Sequence, residues 1–291
     1  MAQRPALPWE MTDAIIDHLC HDVRALGTCG IVCSEWLIRS RYHIFSTIQL
    51  WPWRVQCFFN LATSKECTFA NHINRIEVDD KRVRMREKSG KEFSPEGIRG
   101  GTVREEVLFS DAMSQTDIPC LAQVKSMQVR NVDWTAFSPA QQVVLRGHLA
   151  KFRKLGRLEF QGVTFHDLRE VVRVVNSFPS LCHLTANITF TKYLEHAISS
   201  AKTLCLSTSL GSIELGTEDG IPVVLTCVES RNGPQHLVGL KLANIKFNHL
   251  QYIQNTLRKL GKYLQELSLA FVEVDYGMRN LTFFGCFLNF R

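Results

Sequence analysis

A pattern L-x-x-L-x-L, with other aliphatics or phenylalanine allowed, recurs down the chain and limits it to folds assembled from one repeated unit. Copies begin at Leu155, Leu181, Leu210, Leu237 and Leu264, and another begins upstream at Val124. A looser copy starts at Ile73, and Phe45 with Ile48 and Leu50 forms a further one. The middle positions Met127, Leu158, Leu184, Ile213, Leu240 and Leu267 are 31, 26, 29, 27 and 27 residues apart, so the period is nearly constant. Several copies run on into a second apolar pair: Val132 with Trp134, Val163 with Phe165, Ile245 with Phe247, and Val272 with Val274. That alternation predicts a short strand leading inward. The segments between the strands predict helices over 139–152, 167–178, 192–202, 221–230 and 248–263. Their apolar seams carry residues such as Val143, Val144, Val171 and Ile253, with Asp167 and Asn248 as caps.

A strand–helix unit with one apolar seam cannot bury that seam alone; stacking neighbours buries a continuous core. The steps lie at or just beyond the upper end of the roughly 20–29 residues of leucine-rich repeats. The expected architecture is therefore a curved, leucine-rich-repeat-like solenoid with strands on one face and helices on the other. A doubly wound α/β domain also alternates strand and helix and is the competing architecture. In the solenoid, residues flanking the inner leucines would line a concave face. These are Gln128 and Arg130; Arg157, Glu159 and Gln161; His183, Thr185 and Asn187; Ser212 and Glu214; Lys241; and Glu266 with Ser268. A polar lining of both charge signs suits a protein target better than a phosphate backbone. The alternative is a solvated face with the target bound at a loop edge.

Two regions break the period. Ile76 and Met127 are 51 residues apart, and the stretch at about 79–118 reads as an exposed charged insertion, either a target-contacting flap or a tolerated loop. The final residues, 280–291, carry Leu281, Phe283, Phe284, Phe287, Leu288 and Phe290 where a repeat array usually ends in a polar cap. A rewritten last turn and an early stop are equally open.

The first 50 residues form a separate unit. Leu7-Pro8 opens it, Pro8 suiting a first helical turn. Met11, Ile15, Ile16 and Leu19 recur at helical spacing; a second helix is expected over 23–33, with Leu26, Cys29, Val32 and Cys33 on one side, and a third over 34–42, led by Trp36 and Leu37. Three helices in so short a stretch bury little core and need a neighbour or a partner. Residues 7–50 resemble the F-box of the large F-box-like families of fungi. They show the Leu-Pro start, Ile15-Ile16 with Leu19, Leu26 with Cys29, Val32-Cys33 and Trp36, and then Arg41 and Phe45. Trp9 stands where the family usually has a second proline. The resemblance implies docking on the Skp-type adaptor of a cullin-RING ubiquitin ligase, with Leu7, Pro8, Ile15, Ile16, Leu19, Leu26, Val32 and Trp36 at the contact. The other reading makes these residues ordinary core. The expected fold class is thus α/β: a small N-terminal three-helix F-box over 1–50, followed over 51–291 by the curved solenoid.

Composition narrows the function. A net charge of +6, spread rather than gathered in one block, gives no nucleic-acid footprint. The ten cysteines have no repeated spacing and mostly sit among apolar residues, which points to free thiols in a reducing compartment. No signal peptide and no run of 18 apolar residues is visible, so a cytoplasmic or nuclear protein with no membrane partner is expected. Phosphate-loop, nucleophile-elbow and zincin motifs are missing, and Cys29 with Cys33 lacks a downstream Cys/His pair, so neither a metal nor another cofactor is implied. The expectation is a non-enzymatic substrate receptor that joins the adaptor and cullin scaffold to an unidentified protein target. The alternative is a repeat scaffold with no ligase role.

Overall fold

The computed structural model describes residues 8–51, 55–65, 67–80, 119–191, 204–217, 220–230, 237–272 and 286–289. Three helices lead: α1 (Trp9–His18), α2 (Val23–Cys29) and α3 (Ser34–Ile44). Then come β1 (Thr47–Leu50), α4 (Val55–Thr63), β2 (Arg75–Asp79), β3 (Ser126–Arg130), α5 (Pro139–Leu149), β4 (Arg157–Phe165) and α6 (Leu168–Val175). They are followed by β5 (His183–Phe190), β6 (Ser212–Leu215), α7 (Gly220–Glu229), β7 (Gly239–Ile245), α8 (Leu250–Leu260), β8 (Glu266–Phe271) and β9 (Cys286–Asn289).

Among the described residues, all nine strands belong to one sheet in chain order, parallel from β1 to β8, with β9 added antiparallel to β8. The middle positions of the repeat stand side by side: Ile48, Ile76, Met127, Leu158, Leu184, Ile213, Leu240 and Leu267 are successive register partners. In a parallel sheet extended always on the same side, crossovers of one hand place the connecting helices on a single face. Burial follows. In β4, Leu158, Phe160, Val163 and Phe165 are buried, whereas Arg157 and Gln161 are exposed.

This corrects the expected fold. The chain is not a three-helix F-box followed by a curved solenoid; it is an α/β fold organised on one sheet, which starts two residues after α3. Nor is the sheet doubly wound, because its strand order never reverses. The physical reason lies at the junction. The carbonyl of Ser46, just past α3, accepts from the backbone N–H groups of Asn74 and Arg75, and Phe45 stacks on Phe69 with centroids 4.6 Å apart. The helices are thereby tied to the first strand pair. A period-two apolar pattern fixes which face of a strand is buried; it does not fix how many strands share a sheet.

Local chemistry explains the helix ends. Asp22 caps α2 by accepting from the N–H groups of Arg24 and Ala25 at 3.0 Å. Ser138 and Gln141 form a reciprocal capping box at α5, with Pro139 in the first turn. Asp167 caps α6 as expected, accepting from the Glu170 N–H at 3.2 Å. The expected cap Asn248 is instead part of a 3-10 turn, and α8 begins after His249. The helix expected over 192–202 and most of the charged insertion lie outside the described residues. Even so, β2 and β3 pair in register across that insertion. The tail is described only at β9.

The second apolar pairs divide. Gly162, at a φ of 64°, marks an irregularity in the β4–β5 register, after which Val163 and Phe165 point into the core again. Trp134 is buried in a 3-10 turn between Phe137 and Phe165, with ring centroids 5.6 and 5.7 Å away. Phe247, expected to point inward, is 86% exposed. Val143 and Val144 are exposed too, because Gln142, Leu145 and Leu149 take the inner side of α5.

Candidate functional sites on the N-terminal helices and the open sheet face

α1 and α3 are pinned by Asp17. Arg39 Nε donates to Asp17 Oδ1 at 2.7 Å and Arg39 Nη2 to Asp17 Oδ2 at 2.6 Å, while His43 Nε2 lies 2.7 Å from Oδ1. The Arg39 hydrogen bond, followed by that of His43, holds the Asp17 carboxyl down at about 2. Arg39 also lies over the Tyr42 ring, 5.2 Å from its centroid.

With that packing set, the expected docking residues separate by burial. Ile16 and Leu26 are both at 0% exposure and face the interior. Leu19 and Trp36 are half-buried. Pro8, Ile15 and Val32 are exposed, and Leu7 lies outside the described residues. Also exposed in this segment are apolar side chains outside the expected docking set: Trp9 at 71%, Met11, Val23, Ile31 at 84% and Ile38. A helical segment that keeps this many large apolar groups in water offers a surface whose burial against a partner is favourable. Spacing did not single them out, since Met11 falls on the same helical stripe as the buried Ile16.

The second candidate site is the sheet face opposite the helices, over which no described element packs. The expected target-contacting residues do share this face, in cross-strand rows. One row runs Arg75, Ser126, Arg157, His183, Ser212, Gly239 and Glu266; the next runs Gln49, Glu77, Gln128, Glu159, Thr185, Glu214, Lys241 and Ser268. Arg130, Gln161 and Asn187 continue a third.

The face is not uniform. Over β1–β4 it is tied into a network. Arg75 Nε donates to Glu77 Oε1 at 2.9 Å, and Arg75 Nη2 donates to Gln128 Oε1 at 2.8 Å. The same Gln128 oxygen accepts from Arg130 Nη2 at 2.6 Å. Arg75 also reaches Glu159 at 3.5 Å, and Arg130 lies 3.9 Å from Glu77. Gln128, expected as a contact residue, is only 2% exposed beneath these arginines. Lys241 pairs with Glu266 at 2.8 Å at the other end. A groove of about 660 Å³ crosses the face from β1 to β6, walled in part by Asp79, Arg130, Gln161, Thr185, Asn187 and Glu214. Asp79 accepts from Asn131 Nδ2 at 2.7 Å, and both residues line the groove.

Every cysteine among the described residues is a free thiol, and burial pushes Cys227 up to about 12. Among the described residues no helix is long and apolar enough to cross a membrane.

No protein-family profile matches the chain, and no curated protein matches it. A crystal structure of a Bacteroides fragilis protein from a structural genomics effort resembles it with a TM-score of 0.33 and 12% identity, over 64% of this chain. The chain spans 65% of the length of that protein.

Proposed function

We propose that this chain is a substrate-recognition subunit of a cullin-RING ubiquitin ligase, with helices α1–α3 docking on a Skp-type adaptor and the open sheet face receiving a target protein. The observation that carries the reading is the set of exposed apolar side chains on α1, α3 and the turn between α2 and α3, among them Trp9, Ile15, Ile31, Val32 and Ile38. The F-box resemblance of residues 7–50 supports the same partner by sequence motif, independently of the fold that surrounds them. The protein would perform no chemistry of its own. It would hold a target beside the ubiquitin-charged enzyme and act through proximity.

The test must leave the helix packing intact. Replacing buried Ile16 would unfold the segment and report nothing about docking, whereas Ile31 and Val32 are in water already. Charging them should leave the fold unchanged and abolish retention of the purified adaptor. The reading predicts at least a tenfold weaker affinity for Ile31→Asp with Val32→Asp, on the order of 1.4 kcal/mol or more. Equal retention by that folded variant would refute the docking surface.

A further inference from the structure

The open face separates into a part satisfied by its own chain and a part that is not. Across β1–β4, the arginines and glutamates bond to one another and to Gln128. A partner there would have to break existing bonds. In the groove, which overlaps that network at Arg130, the side chains of Gln161, Thr185, Asn187 and Glu214 make no hydrogen bond or ion pair with any described residue. Lys241 sits on the strand beside Glu214 and feels its charge, but its ammonium is bonded to Glu266 at 2.8 Å.

Two features define what would fill this space. Gln161 and Asn187 are register partners on adjacent parallel strands, whose backbones run about 4.8 Å apart, and both amides line the groove. Each offers a donor pair and an acceptor. Gly162 and Gly216 flank them, leaving room for a backbone to approach. Free amides in a row are suited to a ligand whose own N–H and C=O groups are unpaired, which is the condition of an extended peptide; burying those groups without partners is costly. The second feature is charge. Asp79 and Glu214 are the groove's acids; its Arg130 is drawn to Gln128 at 2.6 Å and lies 3.9 Å from Glu77. The balance favours a cationic side chain. A volume of about 660 Å³ lies inside the usual range for a specific binding site, roughly 300–1,000 Å³.

We infer that the groove receives an extended peptide segment that lays its backbone across the amides of Gln161 and Asn187 and sets a lysine or arginine against Glu214. This deepens the proposed function and rests on its reading of the open face as the target surface.

The experiment uses the full chain, immobilised, with three synthetic nonapeptide pools whose flanks are randomised and whose centre is fixed as basic, acidic or aliphatic. The basic-centred pool should be enriched about two- to fivefold over the other two, the scale of one partly screened ion pair. Glu214→Gln, which keeps shape and removes charge, should bring that ratio close to one, and Glu214→Lys should turn the preference to the acidic pool. Absence of enrichment, enrichment of another pool on the native chain, or enrichment that survives Glu214→Gln would each overturn the inference. Adaptor retention is measured on the same preparations. Pool selectivity without adaptor retention would refute the ligase reading and leave the groove assignment standing, and the reverse result would do the opposite.

Discussion

Removing the charge of Asp17 should loosen the N-terminal helices by an amount that depends on pH in a defined direction. The carboxyl is held at about 2 instead of its ordinary 3.8, chiefly by the two hydrogen bonds from Arg39 and next by His43. At about 1.36 kcal/mol per pH unit, that depression corresponds to roughly 2.4 kcal/mol of stabilisation. Asp17 and Arg39 are 41% and 35% exposed, so solvent screening reduces the expected value to about 1 kcal/mol. Because the folded-state value lies below the unfolded one, this stability is fully present above pH 3.8 and is lost as pH falls toward 2. Asp17→Asn should therefore cost about 1 kcal/mol at neutral pH, and the gap from the native protein should close between pH 3.8 and 2. Amide hydrogen exchange in α1 and α3 reads this opening directly, where global unfolding would average it with the sheet. A difference of equal size at pH 7 and pH 2.5, or no difference at pH 7, would refute the assignment of Asp17 as the ionised pin between the helices.

Adjacent residues of β4 should report the two faces of the sheet. Leu158→Ala, at a fully buried position, should cost about 2–5 kcal/mol in urea unfolding, and Glu159→Ala should cost less than about 1 kcal/mol. His148 is buried in α5 with both ring nitrogens unpartnered among the described residues, and desolvation followed by the charge of Lys151 depresses its pKa from 6.5. The unfolded chain then binds the extra proton, so the native protein should lose stability as pH falls below 6.5, and the melting temperature of His148→Leu should fall less over pH 7.5 to 5. Iodoacetamide labelling at pH 8 followed by mass spectrometry should modify the exposed Cys33, Cys57 and Cys182 and spare buried Cys227.

Much of the strand layout was readable because its cause is local. The double-leucine steps place Met127, Leu158, Leu184, Ile213, Leu240 and Leu267 in one register row, and period-two alternation brings Glu159, Thr185, Glu214 and Lys241 to the opposite face. What escaped the sequence depends on contacts between distant residues. Nothing in the spacing of Asp17, Arg39 and His43 announces that they meet. Gln128 looks like a surface strand residue until Arg75 and Arg130 close over it. The family resemblance marked Ile16 and Leu26 as contact residues, yet an apolar position looks the same in sequence whether it faces a partner or its own helices. The single sheet was missed for a similar reason. Phe45 and Ser46 join the helices to the first strands through contacts with Phe69, Asn74 and Arg75, and no periodicity encodes them.

The central claim is that adaptor and target use separate surfaces of one molecule. Hydrogen–deuterium exchange of the full chain with and without a purified Skp-type adaptor tests it most directly. The account predicts added protection confined to residues 9–38, with exchange in β4–β6 unchanged. Protection that appeared in the strands and not in the helices, or no protection anywhere at saturating adaptor, would contradict it.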